Sequence, residues 1–173
     1  MYTFKVFFEI CFLGDMLEHI FHSKEDIMAV LSELEPNKVF KYFEEICSIP
    51  HGSRNLQQIS DYLVDFAKAH ELKYRQDEDL NVIIWKGGSK GYEASEPVIL
   101  QGHMDMVAVK EADCDKDMEK EGLDLEINGD YISAKGSSLG GDDGIAVAYT
   151  LAVLDDEEMA HPPIEAIFTV NEE

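Results

Sequence analysis

Three short stretches carry side chains whose types and spacing could do chemistry. The first is Leu100-Gln101-Gly102-His103-Met104-Asp105-Met106-Val107. A histidine directly after an apolar run sits at the end of a strand, and open α/β sheets bind ligands at the carboxyl ends of their strands. An aspartate two residues on can reach back to the imidazole, fix its tautomer and raise its basicity as a metal ligand. The second stretch, Gly136-Ser137-Ser138-Leu139-Gly140-Gly141-Asp142-Asp143-Gly144, runs into an apolar segment from Ile145. Glycine-rich turns that open helices commonly serve phosphate. Here Asp142 and Asp143 stand where a phosphate loop needs Lys followed by Ser or Thr, so a cation is favoured instead. One of the two acids can equally serve as a helix cap. The third stretch is Asn171-Glu172-Glu173. Adjacent carboxylates at a strand end diverge, so one can bind a metal while the other faces water, the usual arrangement for metal-assisted hydrolysis.

Each stretch taken singly has a plainer reading: a structural histidine, an Asp-Gly turn, a solvated acid pair. Taken together they place His103, Asp105, Asp142, Glu172 and Glu173 at strand ends or in the turns that follow. That convergence points to a metallohydrolase site, and imidazole with hard carboxylates suits Zn²⁺, Mn²⁺ or Co²⁺. The remaining candidates carry less. Asp113, Asp115 and Asp117 alternate as in a calcium loop, but Met118 stands where glycine is needed and Asp124 where glutamate is. That acidic run reads as a solvated loop. His51, His70 and His161 have no partner spacing, and no G-x-S-x-G nucleophile elbow occurs. Cys11, Cys47 and Cys114 are odd in number and form no C-x-x-C pair, which indicates neither a disulfide framework nor a structural zinc knuckle.

The elements that must position these residues follow from periodicity. Val39, Phe40, Phe43, Ile46 and Cys47 fall at helical spacing before Pro50 and Gly52. A second helical stripe, Leu56, Ile59, Leu63, Phe66 and Ala67, has Ser53 or Asn55 available as its cap. Residues 80–85 are rich in β-branched side chains and stopped by Gly87-Gly88, and Val98-Ile99-Leu100 reads as a buried strand. Leu123, Leu125 and Ile127 alternate with acids, and Asn128-Gly129 turns the chain into Tyr131–Ala134, a hairpin. Ile145–Leu154 reads as a buried helix, and Ile164–Val170 as the strand that delivers the glutamates. The predicted class is α/β, a mixed sheet flanked by helices.

Composition limits the function classes. Thirty-six acids against 14 bases leave a formal net charge of −22 over 173 residues, which excludes a bare nucleic-acid binder and disfavours anionic membrane surfaces. No apolar run approaches the roughly 20 residues of a membrane-spanning helix. The cytoplasm is therefore the expected location. Residues 1–27 fit the pattern poorly. Lys24-Glu25-Asp26 can be encoded by a purine-rich ribosome-binding sequence ahead of an ATG for Met28, so 1–27 is expected to be an over-extended start and 28–173 the folded unit.

The ordered motifs FEEICSIPHGS (43–53), ILQGHMDMV (99–107), GDYISAKGSSLGGDDGIAVA (129–148) and FTVNEE (168–173) resemble the M20 family of co-catalytic zinc peptidases, most closely its aminoacyl-histidine (Xaa-His) dipeptidase branch. The match runs roughly from Leu31 to Glu173. The resemblance implies a zinc-exopeptidase-like catalytic domain, two zinc ions, a small peptide substrate and hydrolysis of dipeptides. It implies that His103 is a metal ligand and Asp105 the acid that orients it. Asp142 would bridge two metals, Glu172 would act as general base, and Glu173 would ligate one metal. Asp143 stands where relatives carry Asp or Asn, and a cap-like role suits it. Family members continue past the glutamate pair with a further acidic ligand, a final histidine ligand and an inserted second domain. The resemblance therefore implies that 28–173 is the N-terminal part of a catalytic domain, incomplete at its C-terminus and inactive alone, with dimerisation possible only through the missing domain. Another M20 activity (tripeptidase, carboxypeptidase or deacylase) and a non-catalytic acidic metal-binding module built on the 111–130 loop are the competing readings.

Overall fold

The computed structural model describes residues 29–173; the expected leader at 1–27, with Cys11 inside it, lies outside the described residues. Helix α1 (Asn37–Cys47) buries Val39, Tyr42, Phe43, Ile46 and Cys47, one stripe at intervals of three and four. Helix α2 (Gln57–Ala69) buries Ile59, Ser60, Leu63, Val64, Phe66 and Ala67. It starts after Leu56 with no side-chain cap, so neither residue expected to cap it does so. The Ser53 hydroxyl points instead to Asp105 Oδ2 at 3.4 Å, and Asn55 Nδ2 donates to the Glu119 carbonyl at 2.9 Å.

Four strands form the main sheet: β1 (Lys73–Gln76), β2 (Val82–Lys86), β3 (Val98–His103) and β6 (Ile164–Thr169), in the order β1-β2-β6-β3. β1 and β6 each run antiparallel to β2, while β3 runs parallel to β6, which makes the sheet mixed as expected. β1 has the sequence Lys-Tyr-Arg-Gln and no apolar alternation, so only its pairing with β2 makes it a strand. β3 departs from the buried strand expected of it. It is the sheet's edge, and Val98 and Ile99 are 44% and 60% exposed, whereas Gly102 and His103 at its far end are buried.

The hairpin β4 (Leu125–Asn128) and β5 (Tyr131–Ala134) forms a separate two-stranded sheet, its turn opened by Gly129 at φ +61°. Helix α3 (Gly141–Asp155) packs on α1 and on β3, burying Val147, Ala148, Leu151, Ala152 and Leu154. With Ile84, Ala166 and Phe168 of the sheet these residues complete the core. Among the described residues no helix is long and apolar enough to cross a membrane.

Candidate metal centre

The register of β3 against β6 pairs Leu100 with Ala166, Gly102 with Phe168 and His103 with Thr169. Two parallel strands that end together must release their following loops side by side. The Met104 N–H bonding to the Thr169 carbonyl at 2.9 Å extends the pairing one step further. His103 from one strand and Glu172-Glu173 from the other therefore meet. Their donor atoms (one ring nitrogen and two carboxylate oxygens) all lie within 4.8 Å of one another.

Helix α3 brings the fourth group. It can approach β3 because residue 102 is glycine: a Cβ there would stand 2.9 Å from Asp143 Oδ2 and 3.5 Å from Ala146 Cβ. Gly140 begins the turn in the left-handed region at φ +69°, with Met106 Sδ where a side chain would go. Asp142 and Asp143, joined by a cis peptide, have non-helical backbone angles, so the regular helix starts at Gly144. The helix has no side-chain cap, which corrects the cap-like role expected of Asp143. Asp142, 86% exposed at its side chain, sets Oδ1 3.2 Å from His103 Nε2, and Glu172 Oε2 lies 3.8 Å from the same nitrogen.

Asp105 orients the site, though not through the atom expected. His103 Nδ1 donates to the main-chain carbonyl of Asp105 at 3.0 Å, while the carboxylate stands 3.7 Å away. That carboxylate is buried and turned the other way. Its Oδ1 accepts the Glu172 N–H and its Oδ2 the Glu173 N–H, each at 3.2 Å. One residue thus fixes the imidazole with its backbone and the glutamate pair with its side chain. Asn81 adds a second tie, its Oδ1 accepting the Val170 N–H at 3.1 Å. Neither tie was visible in the sequence, because both partners are some 65 to 90 residues away.

The electrostatics of the site fit a cation. With Nδ1 donating to a carbonyl, a neutral His103 presents a lone pair at Nε2 to a carboxylate oxygen 3.2 Å off, an unfavourable meeting of two acceptors. A proton or a metal ion between them removes the conflict. Burial disfavours the charged ring, but the Asp142 bond, the Asp105 carbonyl and the Asp143 and Asp105 charges prevail and hold His103 above its usual pKa. One imidazole and several carboxylates are also the donor set that suits Zn²⁺, Mn²⁺ or Co²⁺.

The acidic loop offers no such centre. Lys120 pairs with Asp117 at 2.7 Å and Lys116 with Asp124 at 3.1 Å, and among the described residues no group of three donors from this loop converges. His51 is buried, its Nδ1 donating to the Ile49 carbonyl at 2.6 Å. Cys47 and Cys114 are both free, and burial, aided by the Glu44 charge, pushes the Cys47 thiol up to about 12.

A sheet whose parallel strand ends deliver a histidine and a glutamate pair beside an aspartate-bearing helix start is an arrangement suited to metal-assisted hydrolysis. No protein-family model matches the chain. Over 146 residues the chain is 40% identical to the cytosol non-specific dipeptidase of Escherichia coli (strain K12), covering 84% of this chain and 30% of that protein. The crystal structure of the aminoacylhistidine dipeptidase from Vibrio alginolyticus superposes with a TM-score of 0.81 at 38% identity, over 86% of this chain and 30% of that one. A tripeptidase from Staphylococcus aureus shares the fold at a TM-score of 0.62 and 22% identity, over 78% of this chain and 36% of that one. Sequence and fold alike bear out the dipeptidase resemblance. The chain spans about 30% of the length of the two dipeptidases it matches.

Proposed function

We propose that these residues form part of the metal site of an M20-type zinc dipeptidase of the cytosol that cleaves small dipeptides, Xaa-His among them. The observation that carries the reading is that His103, Glu172 and Glu173 bring donor atoms within 4.8 Å of one another while Asp142 Oδ1 stands 3.2 Å from Nε2 of the same histidine. His103, Asp142 and Glu173 would hold the metal, Asp142 as the shared ligand of two ions. The bound zinc would polarise the scissile carbonyl and ease ionisation of the attacking water. Glu172 is exposed and not buried by its clamp, so its carboxylate can take a proton from water and return it to the leaving amine. Asp105 keeps that carboxylate in place through the backbone and holds the histidine tautomer that leaves Nε2 free. The description of the E. coli relative supports the cytosolic location. Identity near 40% to dipeptidases, against 22% to a tripeptidase, favours dipeptides over longer substrates.

Zinc titration tests the site directly. His103→Ala and Asp142→Ala are expected to weaken binding by about 100-fold or more, the upper range for losing even an outer-shell partner. Asp115→Ala and Asp117→Ala should be silent, and the reverse pattern would favour the acidic module. In the protein expressed from its whole reading frame, Glu172→Gln should lower dipeptide turnover by roughly 10²–10⁴-fold with zinc affinity retained.

A further inference from the structure

We propose that Arg54 is a specificity residue that binds a carboxylate of the peptide substrate in the cleft beside the metal centre. The proposal rests on the peptidase reading above. The cleft has a volume of about 760 Å³, a size that takes a small peptide, and Glu173 forms part of its wall. Val107 and Val109 line it with exposed apolar surface, and Arg54 and Lys120 supply its positive charge. Lys120 is occupied by Asp117. Arg54, one of two arginines in the sequence, is exposed and has no ion pair or side-chain hydrogen bond among the described residues. In a chain of net charge −22 an unclaimed guanidinium beside the site is a specific feature, and its planar fork suits a carboxylate.

The backbone adds an independent argument. The Asn55 N–H bonds to the Gly52 carbonyl at 2.8 Å, closing a four-residue turn with Arg54 third and at φ +71°. Turns of that form select glycine at the third position, because a side chain there is strained. The surroundings impose the strain: the Ser53 N–H is bound to the Met106 carbonyl at 3.2 Å, and Asn55 Nδ2 to Glu119. Glycine would relieve it, and the cleft would then lose its only uncommitted cation among the described residues.

Calorimetry on the zinc-loaded protein carrying Glu172→Gln, so that bound peptides persist, with and without Arg54→Gly, tests this. Alanyl-alanine against its C-terminal amide reads the terminal carboxylate; glutamyl-alanine amide against glutaminyl-alanine amide reads a side-chain carboxylate. In at least one pair the acid should bind about tenfold more tightly, and Arg54→Gly should erase that ratio while the melting temperature holds or rises. No discrimination in either pair, discrimination that survives Arg54→Gly, or a fall in melting temperature would overturn the proposal. Hydrolysis of alanyl-alanine by the protein expressed from its whole reading frame, without either substitution, is followed separately. Its absence would sink the peptidase reading while leaving the carboxylate preference of the cleft standing.

Discussion

At the residue scale, Asp105 serves the site with two different atoms. Its carbonyl receives His103 Nδ1, and its buried carboxylate receives the backbone N–H groups of Glu172 and Glu173. Asp105→Asn separates these roles, because the main-chain carbonyl stays while the amide nitrogen turns against one of the two N–H donors. Leaving a buried donor unpaired costs roughly 1–3 kcal/mol, and outer-shell changes of this kind weaken metal binding about 10–100-fold. Both effects are expected together, measured by denaturation and by zinc competition with a chelator. If zinc affinity were unchanged, the carboxylate would have no part in placing the glutamate pair.

At the element scale, the turn into α3 decides whether Asp142 reaches His103. Its two adjacent glycines do unequal work. Gly140 has a positive φ and Met106 Sδ 2.8 Å from where a Cβ would stand, whereas at Gly141 the nearest atom is Leu139 Cδ2 at 4.0 Å. Gly140→Ala should therefore cost about 1–2 kcal/mol for the left-handed backbone alone, and weaken zinc binding as the turn shifts. Gly141→Ala should be neutral, or stabilising by about 0.4–1 kcal/mol through the unfolded chain. Thermal melts of the two variants measure the contrast. The helices α1 and α2 were legible from their apolar stripes, because burial on one face imposes a period that no loop sustains, and α3 from a continuous run rich in Ala and Val after its glycines. β1 was not, since Lys73-Tyr74-Arg75-Gln76 carries no such signal and is a strand only by pairing with β2. Nor was the exposure of β3, for an apolar run reads the same in the centre of a sheet and at its edge.

At the scale of the whole molecule, stability should depend on pH through His51. Burial holds this ring below its usual pKa, outweighing the Ile49 carbonyl bond and the Asp105 charge that act the other way. The unfolded chain takes up the proton first as pH falls, so the stability due to the neutral ring is full above about pH 6.5 and is lost below it. His51→Asn keeps a donor for Ile49 without the titration. Wild type should lose stability relative to that variant between pH 7.5 and 5.5, by at most about 1.4 kcal/mol per pH unit. Denaturant midpoints across that range measure it.

By itself the amino-acid sequence determined the α/β class, the three helices and the residue types of the metal centre, because periodicity and ligand chemistry are properties of neighbours along the chain. It also placed His103, Asp105, Asp142, Glu172 and Glu173 near strand and helix ends, which is where β3, β6 and α3 put them. Only the tertiary structure decided that β3 and β6 run parallel and end in register, that Asp105 grips the glutamates through their backbone, and that Arg54 stands free in the adjoining cleft. Those facts depend on contacts between segments about 50 to 70 residues apart, which packing selects and local pattern does not encode.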